Sequence, residues 1–111
     1  MGADAANTNG YDGSTQTVAV ADTGLGDGTA SGAHPDIPST RIGAIYDWTG
    51  ADSGGCYRVY GDGPQDVDSG HGTHVSGSVL GDGGASGEAK GTAPAASLVF
   101  QATEDYVDFY G

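Results

Sequence analysis

The stretch DSGHGTHVSGSVLG, residues 68–81, places His71 and His74 three positions apart among glycine, serine, threonine and valine. Because Ser69 is a good N-cap residue and a run of small and apolar residues follows it, we predict a helix over residues 71–80. Two imidazoles in this setting indicate a metal site, a hydrogen-bonded structural pair, or a catalytic base beside a structural histidine. The rest of the sequence has to separate these alternatives.

Three short apolar segments predict strands on either side of this helix. They are residues 17–24 (TVAVADTG), 42–48 (IGAIYDW) and 96–102 (ASLVFQA), separated by loops rich in glycine and aspartate. Continuous apolar runs bounded by turns, such as the first of these, are typical of buried parallel strands. The order strand, strand, helix, strand predicts an α/β fold with a mainly parallel sheet.

Composition limits the chain to one modest domain over residues 1–111. It contains 22 glycines and only 36% hydrophobic residues, so we expect a small core that is entropically expensive to order. Cys56 is the single cysteine and cannot form an internal disulfide. We expect no membrane span and no signal peptide in this chain, so an export signal would lie outside it.

The charge is strongly acidic, with 15 acidic residues against three basic ones and a formal net charge of −12. Such a surface repels phosphates, which argues against nucleic acid as a partner, and no basic patch favours a membrane. One hypothesis is adaptation to high salt, where screening removes the self-repulsion. The alternative is an acidic secreted protein in which some carboxylates bind calcium.

The position of His71 in the first helical turn favours the interpretation as a catalytic base. The positive end of the helix dipole disfavours protonation there, and a neutral imidazole can accept a proton. Gly70 and Gly72 leave room for a substrate, whereas His74 is predicted to be a buried, hydrogen-bonded structural residue. Asp22 lies at the C-terminal end of the first predicted strand, just before a Thr-Gly turn, at the edge where catalytic groups collect in α/β sheets.

Other roles for these residues stay open at this point. Zinc could take His71 and His74 as ligands with a third from elsewhere, although the sequence has no H-E-x-x-H pattern. Asp22 could simply cap a turn. Asp22 begins the tripeptide Asp-Thr-Gly, and Asp68 begins a second D-[ST]-G motif, Asp-Ser-Gly. Two such aspartates could share a proton, as in an aspartic protease. That second motif leads into a helix and not into a strand-ended hairpin, which argues against such a dyad.

Four segments taken together resemble a known family. They are GYDGSTQTVAVADTG (10–24), HPDI (34–37), HGTHVSGSVLG (71–81) and GTAPAASLV (91–99). In this order they resemble the N-terminal part of the catalytic domain of subtilisin-like serine proteases, and the D-[ST]-G and H-G-T-H-V-[AS]-G motifs are highly specific. The resemblance implies a three-layer α/β fold with a mainly parallel sheet of the subtilisin type, incomplete in this chain.

The resemblance also implies an activity and its residues. Asp22 and His71 would be two members of an Asp-His-Ser triad that hydrolyses peptide bonds of protein or peptide substrates. Asp36 would bind a structural calcium, with further ligands from residues 82–90, where the loop is longer and richer in glycine than in relatives. Because most of the family is secreted, the resemblance implies an extracellular protein.

The serine nucleophile of this family lies in a G-T-S-[MA]-A-type segment, and the 111 residues contain none. The oxyanion-hole asparagine and the stretches that pair with the substrate backbone are missing too. We therefore expect this chain alone to be inactive and to need a serine-bearing part of the domain. The alternative is a non-catalytic binding or complementing module, whose open sheet edges would pair with another chain.

Overall fold

The structure, a computed structural model, describes residues 2–51, 55–61, 63–66, 70–84 and 90–109. Its helices are α1 (Ala3–Thr8) and α2 (His71–Leu80), and a 3-10 turn covers Ser39–Arg41. Its strands are β1 (Thr17–Asp22), β2 (Ile42–Asp47), β3 (Tyr57–Gly61), β4 (Ser97–Ala102) and β5 (Asp105–Phe109). The predicted helix and the three predicted strands are confirmed, with small differences at the strand ends.

Strand β4 is the centre of a three-stranded parallel sheet, flanked by β1 and β2. Ala102 of β4 aligns with both Asp22 and Asp47, so the carboxyl ends of all three strands lie at one edge of the sheet. Strands β3 and β5 form a separate antiparallel pair. The α/β class with a parallel sheet is thereby confirmed.

The core lies on one face of the parallel sheet, where α2 and the loop after β1 contribute to it. Its buried hydrophobic residues are Val20, Leu25, Ala33, Ile37, Leu80, Ala96, Leu98, Phe100 and Ala102. On the opposite face of β1, Thr17, Ala19 and Ala21 are exposed. Strand β1 is thus covered on one face in the described part of the chain, whereas its apolar run predicted full burial.

Helix α2 is held close to the sheet at both ends. At its start, a Cβ on Gly72 would collide with the backbone of Gly24 and press on the ring of Phe100, so only glycine permits this approach. Near its end, the Arg41 guanidinium donates hydrogen bonds of 2.8 Å to the carbonyl oxygen of Leu80 and to that of Ala96. The first turn of α2 therefore has a fixed place beside the end of β1.

Candidate active site

The end of β1 and the start of α2 bring Asp22 and His71 together. Nδ1 of His71 lies 2.7 Å from Oδ1 of Asp22, the length of a charge-assisted hydrogen bond. The side chain of Asp22 is 16% exposed and that of His71 is 65% exposed. The carboxylate is therefore sheltered, while the imidazole faces solvent, where a substrate could reach it.

Local backbone features set this geometry. Asp22 is the last residue of β1, and its Oδ1 also accepts a 2.7 Å hydrogen bond from the backbone N–H of Thr23. Gly70 precedes α2 with φ of 69°, a left-handed conformation that glycine adopts without strain. His71 is consequently the first residue of the helix. The N-cap of α2 is Gly70, so the prediction of Ser69 as the N-cap is wrong. The second D-[ST]-G, at Asp68, lies outside the described residues.

Opposing effects act on the carboxyl group of Asp22. Burial by itself raises the pKa of Asp22, because an ionised carboxylate loses hydration. The hydrogen bond with His71, the N–H of Thr23 and the positive charge of His71 outweigh burial, and the pKa of Asp22 falls below its ordinary value. Asp22 is therefore ionised at neutral pH and can hold a hydrogen bond from His71.

The pKa of His71 is raised above its ordinary value. The hydrogen bond with Asp22 is the main cause, followed by the negative charge of Asp22; burial opposes them weakly, and Asp66 adds a further attraction. The helix dipole alone predicts that protonation of His71 is disfavoured, and this prediction is wrong, because the pKa of His71 is raised. The partial charge of a helix end, about half an elementary charge, is outweighed by a full carboxylate at hydrogen-bond distance.

Asp66, which the sequence analysis did not single out, is hydrogen-bonded to both segments that carry this pair. The carboxylate of Asp66 accepts hydrogen bonds from Thr73 and from Thr23. The sequence signal for Asp66 is weak, because it is only an acidic residue ahead of a predicted helix start. Its contact with Thr23, which is 43 positions away, appears only in the fold.

His74 is exposed, so the prediction that it is buried is wrong. The buried stripe of α2 consists of Gly72, Ser76 and Leu80, at intervals of four residues. His74 lies two positions from Gly72, which is nearly the opposite side of a helix with 3.6 residues per turn. It lines a cavity of about 670 Å³, together with His34, Asp36, Asp66 and Lys90 among others.

The described residues assemble no group of three or more histidine, cysteine or acidic side chains that could hold a metal ion. Zinc bound by His71 and His74 would therefore need its third ligand from outside them. Asp36, proposed for calcium, is buried at 8% exposure, and its carbonyl oxygen accepts from the N–H of Asp82 at 2.8 Å. Residues 85–89 of the loop expected to add ligands lie outside the described part, so the calcium site stays a prediction.

Comparison with protein families places this geometry in a known group. The family model described as "Subtilase family" matches residues 13–107, most of the chain. The chain belongs to the subtilase family, which confirms the resemblance of its four motif segments. The parallel sheet with α2 is compatible with an incomplete α/β fold of the subtilisin type. At the level of the family, the activity is that of a serine-type peptidase acting on proteins.

Proposed function

We propose that this chain supplies the general base and its orienting carboxylate to a subtilisin-like serine endopeptidase domain. The 2.7 Å contact between Nδ1 of His71 and Oδ1 of Asp22 carries this proposal. A carboxylate at this distance selects the tautomer with a proton on Nδ1. The lone pair on Nε2 then serves to take a proton from a nucleophile.

The reaction follows from these positions. Nε2 of His71 takes the proton of a serine hydroxyl as the oxygen forms a bond to the substrate carbonyl carbon. The imidazolium, stabilised by Asp22, donates this proton to the amide nitrogen, the C–N bond breaks, and an amine leaves the acyl-enzyme. Nε2 then takes a proton from water, whose oxygen bonds to the acyl carbon. The bond from that carbon to the serine oxygen breaks, and the imidazolium gives the proton to the serine oxygen.

The serine itself belongs to a segment that these 111 residues do not contain. We propose that a serine-bearing part of the domain packs against this chain and completes the triad, and that the chain alone is inactive. We also propose that the complete protein works outside the cell, as most of the family does. None of the helices in the described part is long and apolar enough to cross a membrane.

Peptide hydrolysis by the full-length protein that carries this chain tests the assignment. We expect Asp22→Asn and His71→Ala each to lower kcat by about a thousandfold or more, because triad residues act as one unit. Asp47→Asn is the matched control, since Asp47 is exposed and ends strand β2, which lies on the other side of β4 from β1. Near-normal hydrolysis in either triad variant contradicts the assignment, as does stoichiometric zinc that both His71→Ala and His74→Ala remove.

A structural calcium is a separate proposal for Asp36, which is a buried residue. Calcium takes six to eight oxygen ligands, so the loop at residues 82–90 would have to complete the site. We expect calcium to raise the melting temperature of the full-length protein and Asp36→Asn to reduce that rise. An unchanged melting temperature across a calcium titration removes the proposal.

A complementing module without catalysis is the second candidate. Strand β1 is at the end of the order β1-β4-β2, so its outer edge pairs with no strand of the described part. Such an edge can accept a strand from another chain. Restored cleavage on mixing this chain with a serine-bearing partner supports the peptidase, whereas stable binding without cleavage supports the module.

A further inference from the structure

The carboxylate of Asp66 is a junction between the two elements that carry the candidate pair. Its Oδ1 accepts a 2.9 Å hydrogen bond from the hydroxyl of Thr23, the residue directly after Asp22. Its Oδ2 accepts from the N–H of Thr73 at 2.9 Å and from the Thr73 hydroxyl at 2.8 Å. One half-buried carboxylate thus joins the end of β1 to the first turn of α2.

The two threonine hydroxyls extend this junction into the backbone around the pair. The Thr23 hydroxyl accepts a 3.0 Å hydrogen bond from the N–H of Gly72, the residue directly after His71. The Thr73 hydroxyl accepts a 2.9 Å hydrogen bond from the N–H of Gly26. Because each hydroxyl donates to Asp66 and accepts from a backbone amide, its orientation is fixed, and so is the spacing between β1 and α2.

The backbone of Asp66 is itself anchored against the loop after β1. Its N–H donates to the carbonyl oxygen of Gly26 at 2.9 Å, and the N–H of Leu25 donates to the carbonyl oxygen of Pro64 at 2.9 Å. The carboxylate therefore sits on a short chain segment held at two points. A group held in this way can impose a position on its partners, whereas a side chain on an unanchored loop would follow them.

The same carboxylate accepts a hydrogen bond that an N-cap side chain of α2 would otherwise accept. The first amides of a helix have no partner inside it, and the N-cap residue here, Gly70, has no side chain to supply one. Instead, the N–H of Gly72 donates to the Thr23 hydroxyl, and the N–H of Thr73 donates to the Asp66 carboxylate. A negative charge at this end of α2 is also favourable to the helix dipole.

We propose that Asp66 is a positioning residue for Asp22 and His71, which fixes their separation through Thr23 and Thr73. This inference rests on the proposed function, because the separation of Asp22 and His71 matters for catalysis only if His71 is the general base. Asp22 and His71 are 49 positions apart in the sequence. Their hydrogen bond therefore requires that β1 and α2 keep a fixed relative position. A misplacement of about 1 Å in such a pair is worth about a hundredfold in rate.

Asp66 also acts on His71 through its charge. Burial raises the pKa of Asp66, but its hydrogen bonds from Thr73, Thr23 and Gly70 outweigh burial and lower it, so Asp66 is ionised at neutral pH. The charged groups of the described residues that act on His71 are Asp22 from β1 and Asp66 from the segment before α2. Asp68, in that same segment, lies outside the described residues.

Four variants of the full-length protein separate geometry from charge. Asp66→Asn removes the charge and places an amide NH₂ where a second acceptor oxygen is needed. Thr23→Val removes the hydroxyl of Thr23 but keeps the charge of Asp66, and Thr23→Ser restores the hydroxyl. Asp47→Asn removes an equal charge from the end of β2 and is the control. Each variant is assayed for kcat, KM and the pKa of His71 by NMR titration of its ring nitrogens.

We expect Asp66→Asn to lower kcat about ten- to a hundredfold while KM stays within about twofold, and to lower the pKa of His71. We expect Thr23→Val to lower kcat about tenfold with a smaller change in the pKa of His71. Thr23→Ser and Asp47→Asn should each retain kcat within about twofold. The split between kcat and KM and the pKa of His71 are readouts that a general loss of stability would not produce.

An Asp66→Asn protein that is folded and keeps wild-type kcat, or that keeps the wild-type pKa of His71, overturns the proposal. If Asp66→Asn does not fold, equal kcat in Thr23→Val and Thr23→Ser overturns it instead. Failure of the proposed function looks different, because wild-type protein would then hydrolyse no peptide. The pKa of His71 in the wild type and in Asp66→Asn still tests the link between Asp66 and the imidazole in that case.

Discussion

At the scale of single residues, the imidazole of His71 is governed by carboxylates more than by its place in a helix. Asp22 accepts its hydrogen bond, and both Asp22 and Asp66 raise its pKa. A higher pKa makes the imidazole a stronger base, but a larger fraction of it is protonated at a given pH. A general base works only in the neutral form, so this balance sets the pH range of activity.

The pH dependence of hydrolysis follows from that shift. Because the pKa of His71 is raised above 6.5, we expect kcat/KM of the full-length protein to rise with pH along a limb centred above 6.5. The stabilising effect of the pair has the opposite dependence. It is complete below pH 6.5 and is lost as pH rises through the folded-state pKa of His71.

Asp22→Asn should move this limb to lower pH, because the variant loses the negative charge that favours the imidazolium. Residual kcat/KM measured across the pH range for the wild type and the variant is the test. Asp47→Asn is again the control and should leave the limb in place. A wild-type limb below 6.5, or a limb that Asp22→Asn moves upward, contradicts the electrostatic account.

Single residues also differ in how far the sequence revealed them. Asp22 and His71 lie inside specific motifs, so their pairing could be expected before the structure, although their catalytic role stays a prediction. The burial of His74 was predicted wrongly, because the motif does not say which stripe of α2 faces the core. The sequence does not indicate a role for Asp66, because its hydrogen bond joins it to Thr23, which is 43 positions away.

At the scale of elements, α2 depends on glycine at one position and tolerates it at another. A Cβ on Gly72 would collide with the backbone of Gly24, whereas a Cβ on Gly77 would meet nothing within 4 Å. Both glycines lie in the same helix, and both are absent from the set with positive φ. Alanine substitutions at Gly72 and at Gly77 therefore distinguish the effect of close packing from the effect of helix propensity.

We expect Gly72→Ala to lower the free energy of unfolding of the full-length protein by about 1–3 kcal/mol through overpacking. Gly77→Ala should leave it unchanged or raise it by up to about 1 kcal/mol, because alanine is the better helix former. Urea unfolding curves measure both changes. Equal effects of the two substitutions contradict the close approach of α2 to the turn after β1.

The sequence indicated those elements whose pattern is local. The apolar runs of β1, β2 and β4 and the small-residue run of α2 are continuous, and the structure places elements at all four. Strand β3 lies where the sequence predicts a polar loop, because its five residues stand among glycine and aspartate. Its register with β5 joins residues about 50 positions apart, and such pairing is not written in either segment alone.

At the scale of the whole molecule, charge and composition work against folding. The chain has 15 acidic residues against three basic ones, and the guanidinium of Arg41 is taken up by backbone carbonyl oxygens. Negative charges on so small a domain repel one another, and salt screens that repulsion. The hypothesis of salt adaptation therefore has a physical basis, but it stays a prediction.

We expect the free energy of unfolding of the full-length protein to increase steadily as KCl is raised from about 0.1 M to about 1 M, over which the screening length falls from about 10 Å to about 3 Å. Sucrose at equal osmolality is the control, because it stabilises compact states without screening charge. Equal stability at both KCl concentrations, or an equal effect of sucrose, contradicts adaptation through screening.

The whole-molecule assignment was within reach of the sequence, because four motif segments in a fixed order carry it and the family match at residues 13–107 confirms it. Coverage of the sheet was less predictable. The exposed face of Ala19 and Ala21 shows that an apolar run alone does not say how many faces a strand buries. That depends on which elements pack against it, and a strand's own residues do not specify them.

The most direct test of the central claim, that Asp22 and His71 are the base machinery of a serine peptidase, is the rate at which a fluorophosphonate labels serine in the full-length protein. We predict labelling of one serine in the wild type and a rate at least about a hundredfold lower in His71→Ala, because the nucleophile needs its base. Mass spectrometry of the labelled peptide identifies the serine. Absence of any labelled serine in the wild type, or equal rates in the two proteins, would contradict the claim.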